Sequence, residues 1–357
     1  MNPLVIGIDP GSSHWSFYGF TSDETILDIS VSTNHWQDIE YTLRDVVELT
    51  PDLVVGPSGY GLPLIRISDL SVLDRELAIL YQGSSLIGVR KALEVLRPIA
   101  DDVMLIPGVK HLSTVPNYRK INRVDMGTAD KVCAVAYSIT FIHERMKLPL
   151  SSISFIHVEL GYGFNAYIGI EHGKIVDGIG GSLSTLSFSS GGALDAELAF
   201  LLHIIPKKTV FQGGILSIPD IKNIKSPYEL CDSSSWLWNA YVEAIAKDIA
   251  RTRISTPLAS LVVLSGQYSD NSALLEDLIQ QFPSIDFQTI TKKGLASVAA
   301  RGAAIIANGL CGGKYEPLVK HMGIQDARGT VLDHIYYQAY DSECLLSQIR
   351  RKIEEKY

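Results

Sequence analysis

Apolar and polar positions along the chain follow two periods in turn, and the turn-taking predicts an α/β protein. Leu4-Val5-Ile6-Gly7-Ile8 is a short unbroken apolar run stopped by Asp9-Pro10-Gly11-Ser12-Ser13, the pattern of a buried strand entering a tight loop. Trp15-Ser16-Phe17-Tyr18-Gly19-Phe20 then alternates aromatic with small residues, so the loop is predicted to close a hairpin. Segments 37–49 and 71–97 carry apolar residues at helical spacing, with a short strand, Leu53-Val54-Val55, between them. Strands alternating with helices predict an α/β domain.

The pattern then restarts. Residues 153–163 run from an apolar strand into Glu159-Leu160-Gly161-Tyr162-Gly163, again strand, acid and glycine loop. Phe164 to Ile170 alternates into another strand, and His172-Gly173 turns before Lys174-Ile175-Val176. Helices are predicted over 192–205 and 235–253, and a buried strand over Leu261-Val262-Val263-Leu264 that ends in Ser265-Gly266. A helix over about 294–308 has Ala299, Ala300, Gly302, Ala303 and Ala304 as a small-residue face for close packing. One design used twice predicts two domains, 1–150 and 151–357, divided near Lys147 to Ser152. The stretch Leu345 to Glu354 has the spacing of an amphipathic helix, which either packs back on the first domain or joins two subunits as a homodimer.

Composition narrows the classes. At 357 residues the chain is long enough for two cores, and 46% hydrophobic against 20% charged residues excludes a mainly disordered chain. The 31 basic and 39 acidic side chains give a formal charge of −8, without the basic footprint that nucleic acid or an anionic membrane surface requires. Cys133, Cys231, Cys311 and Cys344 stand far apart, so no zinc, iron–sulfur or dithiol motif forms, and they read as small hydrophobes in a reducing compartment. Asp9 and Pro10 break the N-terminal apolar stretch, which has no basic residues before it, and no apolar run approaches the length of a membrane helix; a cytoplasmic location is expected.

Asp9 at a strand end, followed by Gly11, Ser12 and Ser13, supplies a carboxylate beside backbone N–H groups that can face a phosphate, and Asp9 is suited to a hydrated Mg²⁺. The bland reading is an Asx-type turn. Glu159 and Gly161-Tyr162-Gly163 repeat the arrangement, and a nucleotide between two such hairpins would be clamped at its phosphates. The loop Gly56-Pro57-Ser58-Gly59-Tyr60-Gly61-Leu62-Pro63 follows a strand, where α/β sheets place ligands, so Ser58, Gly59 and Tyr60 are candidate acceptor contacts. In the segment 116–125, Arg119 and Arg123 could grip a carboxylate or a γ-phosphate, and Asp125 could serve as a base. Asp130 and Lys131 are neighbours at i and i+1 and are not expected to face each other on a helix; Thr128 is a candidate N-cap. Gly180-Gly181-Ser182 and Ser189-Ser190-Gly191-Gly192 either approach the ligand through backbone N–H groups or are plain connecting loops. His157, inside an apolar strand, reads as a satisfied core histidine.

In order along the chain, these motifs resemble the superfamily of acetate and sugar kinases, Hsp70 and actin (ASKHA). Residues 6–13 resemble its first phosphate motif, 156–165 its second, Val263-Leu264-Ser265-Gly266 its adenosine motif, and the small-residue helix its connecting segment. The resemblance implies two related actin-like, ribonuclease H-like α/β domains, each around a mixed five-stranded sheet, with ATP in the cleft between them. It also implies ATP and Mg²⁺ as cofactors: Gly11, Ser12, Ser13, Gly161, Tyr162, Gly163, Gly266 and Gln267 on the nucleotide, Asp9 and Glu159 on the metal. Leu160-Gly161-Tyr162-Gly163, Gly173-Lys174-Ile175-Val176-Asp177 and the loop Gly266 to Ser272 resemble acetate and butyrate kinases. Arg123 to Lys131 with Gly56 to Gly61 resemble an archaeal family of predicted butyrate kinases. A small-molecule kinase with a carboxylate acceptor is therefore expected, its catalytic residues Asp9, Arg123, Asp125 and Glu159. One departure matters: where acyl kinases have a histidine before Leu-Gly-x-Gly, this chain has Glu159, as sugar kinases have an acid. That keeps open a hydroxyl acceptor with Asp125 as base, and fold-level analogy keeps open an ATP-driven switch without turnover.

Overall fold

Two mixed sheets organise the chain, each at the centre of its own unit. The computed structural model describes residues 2–22, 24–56, 58–80, 88–219, 221, 224–290 and 294–355. Pro57 of the loop 56–63 and residues 81–87 of the predicted helix 71–97 lie outside the described residues.

The first unit comprises Met1–Leu150, Gly173–Ile175 and Lys292–Tyr357. Its mixed sheet has β1 (Val5–Pro10), β2 (His14–Thr21), β3 (Glu24–Ser32), β4 (Leu53–Val55), β5 (Ile65–Arg66) and β6 (Val103–Leu105), in the order β3-β2-β1-β4-β6-β5. β1, β4 and β6 run parallel, while β2, β3 and β5 are antiparallel to their neighbours. The sheet has six strands rather than five because the two-residue β5 pairs along β6. On one face Ile6, Ile8, Trp15 and Phe17 meet Ile39, Leu43 and Val46 of the helix Trp36–Glu48. Among the described residues of the predicted helix 71–97 stand two helices, Val72–Ile79 and Val89–Val95; Leu80 ends the first in a left-handed conformation and Gly88 opens the second with φ +75°.

The other face of this sheet carries the small-residue helix, observed at Val298–Leu310. A Cβ on Gly7 of β1 would stand 2.1 Å from the Ala300 carbonyl oxygen, and one on Gly302 would stand 1.8 Å from that of Cys133 in the helix Ala129–Met146. Strand, helix and helix are thus in backbone contact, which only glycine permits at both points. This is the physical reason why residues 292–357 belong to the first unit and not to a continuous domain 151–357. The last helix, Ser342–Glu354, packs Leu345, Leu346 and Ile349 on the first unit's core.

The second unit comprises Ser151–His172 and Val176–Thr291. Its sheet has β7 (Phe155–Leu160), β8 (Asn165–Glu171), β9 (Lys174–Ile179), β10 (Leu261–Ser265) and β11 (Asp286–Thr289), in the order β11-β10-β7-β8-β9. β7, β10 and β11 are parallel, and β8 is antiparallel to β7. Ile156, Val158 and Leu160 pack with Tyr241, Ile245 and Ile249 of the helix Ser235–Ser255 and with Leu274 and Leu278 of the helix Ser272–Gln281. The helix expected over 192–205 is only Ala196–Leu202, and Phe200 and Leu201 are exposed. Its apolar residues run consecutively instead of forming one face. Among the described residues no helix is long and apolar enough to cross a membrane.

Candidate functional site

In both units the candidate loops leave the carboxyl ends of parallel strands, where α/β sheets present ligand sites. The two hairpins match residue for residue. In the first, Asp9 pairs with Ser16 and Pro10 with Trp15, leaving the loop Gly11 to His14; in the second, Glu159 pairs with Ala166 and Leu160 with Asn165, leaving Gly161 to Phe164. Each loop closes on its glycine, since a Cβ would stand 2.5 Å from the His14 carbonyl oxygen at Gly11 and 2.8 Å from that of Phe164 at Gly161. The acid lies two residues before the glycine in both, so the carboxylate and the loop's N–H groups share one strand end.

The half-buried Asp9 is oriented by a residue the motif reading missed. Its Oδ2 accepts a 2.7 Å hydrogen bond from the Ser297 hydroxyl, which itself accepts from Ala300 N (3.0 Å) as the N-cap of the helix Val298–Leu310. The signal was present: a serine just ahead of an apolar helical run is an N-cap pattern. The loop rim is held by Thr33, whose N–H donates to Ser13 O (2.9 Å) and whose hydroxyl donates to Gly11 O (2.9 Å).

Asp130 lies in the first turn of the helix Ala129–Met146. Asp130 and Lys131, expected to diverge as i and i+1, form an ion pair of 2.5 Å, because the first helical turn leaves both side chains free to fold over the helix start. Thr128 occupies the N-cap position, but its hydroxyl donates to the Asp130 carboxylate instead of capping backbone. Burial would raise the Asp130 pKa; Lys131 and the hydrogen bonds from Lys131 and Thr128 outweigh it and hold the carboxyl below its usual range. Asp130 and Asp9 both lie close enough to Cys133 to add to the burial that pushes its thiol pKa well up.

Ser58, Gly59, Tyr60 and Asp125 are brought together. The buried Ser58 hydroxyl donates to Gly56 O and accepts from Ile106 N, both at 3.0 Å, so it closes the turn. Gly59 O receives Ala129 N (3.0 Å), tying the loop to the start of the helix Ala129–Met146. Tyr60 lies beside Asp125, and burial, reinforced by that carboxylate, raises its phenol pKa. Asp125 is buried and accepts from Gly127 N (3.2 Å). The half-buried Arg119 stacks on the exposed Tyr118, and Arg123 is exposed, its carbonyl taking the Lys110 ammonium. Lys110 also donates to Val331 O (2.6 Å), and burial lowers its pKa to about 8.

In the second unit, Gly266 has φ +96° and lies against Leu160, where a Cβ would stand 2.5 Å from the carbonyl oxygen; Tyr268 N donates to that oxygen (3.0 Å). The adenosine-type loop and the second hairpin are therefore joined, and Gly266 and Gln267 are exposed beside it. Asn271 ends the loop as the N-cap of the next helix, accepting from Leu274 N (2.9 Å). Ser190 N donates to Gly163 O (3.1 Å), so the segment 187–192 backs the hairpin. Tyr162, Phe188 and Tyr268 form an edge-to-face row beside it, with centroids 6.1 and 5.4 Å apart. His157 is buried and hydrogen-bonded to the Ser265 hydroxyl (3.1 Å), the satisfied core histidine expected.

Among the described residues no three His, Cys, Asp or Glu side chains converge on a metal site. Mg²⁺ normally takes one or two carboxylates with water and phosphate oxygens, and a half-buried carboxylate such as Asp9 in the first unit, or Glu159 in the second, is a donor of the kind that fits it.

This two-sheet architecture is an α/β fold shared with solved acetate and propionate kinases. Acetate kinase from Entamoeba histolytica superimposes with a TM-score of 0.59 at 14% identity, covering 78% of this chain and 86% of that one. Propionate kinase from Francisella tularensis subsp. tularensis SCHU S4 gives 0.60 at 13%, and acetate kinase from Porphyromonas gingivalis 0.60 at 12%, each over 84% of this chain and 98% of the other. The chain belongs to the family described as "Protein of unknown function (DUF1464)", which matches residues 7–337. No curated protein matches it in sequence.

Proposed function

We propose that the protein is an ATP- and Mg²⁺-dependent phosphotransferase whose acceptor is a short carboxylate, the product being an acyl phosphate. The observation that carries this reading is the duplicated hairpin, acid then glycine two residues on, once in each unit of a fold shared with solved acetate and propionate kinases. In this reading the N–H groups of Gly11 to Ser13 and of Gly161 to Gly163 bind phosphate oxygens, and Gly266 and Gln267 flank the adenosine with Tyr268 behind them. Asp9 and Glu159 orient the cation, which when bound offsets phosphate charge. The acceptor lies against Ser58 to Tyr60 and Asp125, with Arg123 and Arg119 at the rim.

Transfer breaks the bond between the γ-phosphorus and the ADP oxygen and forms one to an acceptor oxygen. A carboxylate brings no proton to remove, so positioning and charge neutralisation suffice. A hydroxyl acceptor needs a base, and in that second reading the buried Asp125, beside Tyr60 of the acceptor loop, takes the proton.

The test is ATP consumption with Mg²⁺ over a panel of short carboxylic acids and hydroxyl compounds, with hydroxylamine in a parallel set. Hydroxamate from acetate, propionate or butyrate is expected. Turnover without hydroxamate moves the acceptor to a hydroxyl, and nucleotide binding without turnover on any acceptor replaces the kinase by a switch.

A further inference from the structure

We propose that Ser297 is a positioning residue for Asp9, and that Asp28 and Arg301 hold it in place. The inference rests on the reading of Asp9 as the carboxylate that orients the cation of a bound nucleotide.

The proton direction is forced. Ala300 N can only donate, so the Ser297 oxygen accepts from it and the one hydroxyl proton points to Asp9 Oδ2. A hydroxyl polarised in this way by a helix N-terminus is a directed donor to a carboxylate. The strand period places the carboxylate to receive it: Gly7 faces the helix Val298–Leu310, and Asp9, two residues on, points to the same side.

Ser297 does not rest on its helix alone. Across the sheet Gly7 pairs with Tyr18 and Tyr18 with Asp28, so these three stand in one row beneath the helix. Asp28 Oδ1 accepts from Leu295 N (2.9 Å) and Ala296 N (2.6 Å), the two residues before Ser297, and Oδ2 accepts from Arg301 (2.8 Å), one turn after it. Arg301 also lies 4.3 Å over the Tyr18 ring. Gly294, at φ +82°, brings the backbone so close to Asp28 that a Cβ would stand 1.9 Å from Oδ2. One carboxylate thus clamps the chain on both sides of Ser297. That assigns a role to Asp28, to the nearly buried Arg301 and to Gly294, which the phosphate motifs do not use.

Two substitutions separate positioning from helix capping. Ser297→Gly removes the donor to Asp9 but keeps a residue nearly as good at an N-cap, and Ser297→Thr keeps both functions. A fluorescent ADP analogue is titrated with and without Mg²⁺, and the ligand-free melting temperature is recorded for each variant. The expected result is a Mg²⁺-dependent gain in wild type and Ser297→Thr that falls about tenfold in Ser297→Gly. Binding in EDTA and ligand-free melting should stay unchanged. A Ser297→Gly protein that keeps the wild-type Mg²⁺ gain overturns the positioning role and leaves the functional reading standing. A wild type with no Mg²⁺ gain overturns both.

Discussion

Gly7→Ala is the most direct probe of the backbone contact between β1 and the helix that carries Ser297. The added methyl would stand 2.1 Å from Ala300 O, 2.4 Å from Ala304 N and 2.7 Å from Ala303 Cβ. Carbon contacts are comfortable near 3.5–4.0 Å, so relief needs the helix to retreat by roughly 1 Å or more. Two of the three atoms are backbone and have no rotamer to change. Overpacking costs about 1–3 kcal/mol, and this site belongs at the upper end. Replacing a strand glycine returns roughly 0.5–1 kcal/mol, leaving a net loss of about 2 kcal/mol. With about 2–4 °C per kcal/mol for a domain of this size, melting should drop by roughly 4–8 °C. The retreat also lengthens the Ser297–Asp9 hydrogen bond, so the Mg²⁺-dependent gain in ADP affinity should shrink with it. Gly312→Ala is the control: its Cβ meets nothing within 4 Å, though φ is +73°, so it reports backbone strain without a clash. Scanning calorimetry with nucleotide titration decides the matter. A Gly7→Ala protein that melts within 1 °C of wild type (about the measurement error) and keeps its Mg²⁺ response would refute the packing argument.

Asp9→Asn should abolish Mg²⁺-dependent ATP turnover while the circular dichroism spectrum stays native; undiminished turnover at wild-type Mg²⁺ dependence would remove Asp9 from the cation's surroundings. His111→Leu should stabilise the protein in mild acid. Burial first, then Lys110 and Lys120, lower the His111 pKa from 6.5 to about 4 against the opposing effects of the Gly108 backbone and Asp333. The unfolded chain therefore binds the extra proton between pH 6.5 and 4, and stability falls as pH drops through that window, by about 2 kcal/mol at pH 5. The variant's melting temperature should lose this slope; an unchanged slope would mean that the ring is not what titrates. Asp28→Ala strips Arg301, whose side chain is 11% exposed, of its carboxylate and should lower stability by about 3 kcal/mol in a urea titration. A loss below about 1 kcal/mol would mark the pair as an ordinary surface contact.

What the sequence made legible was whatever rests on local pattern. The restart at residues 153–163 announced the second hairpin, because strand, acid and glycine closure are all encoded within a dozen positions. The small-residue face of Ala299 to Ala304 announced close packing, but not its partners: the Gly7 and Cys133 backbones lie far away in sequence. β3 was overlooked although Leu27, Ile29 and Val31 alternate, since acids and hydroxyls fill the positions between them, among them Asp28. Ser297 was legible as an N-cap, but its contact with Asp9 was not, and neither was the role of Asp28. A residue whose partners lie more than 260 positions away leaves no local spacing to detect. Arg119 drew attention by its charge, and Arg123 also by the family resemblance of its segment; the fold leaves Arg123 exposed and Arg119 half-buried against Tyr118.

The discontinuity of the first unit bears on the order in which the protein is made. The second unit occupies an almost unbroken stretch, 151–172 and 176–291, inserted into the first, so its chain is complete before the first unit's last helices exist. When residue 150 has been synthesised, β1 and the helix Ala129–Met146 still lack the helix Val298–Leu310 that seals Gly7 and backs Asp9. At about 5–20 residues per second the missing segment arrives on the order of 10 s later. Through that interval the nascent chain carries an uncovered sheet face, while the inserted unit is free to fold behind it. The half that begins first is the half that finishes last.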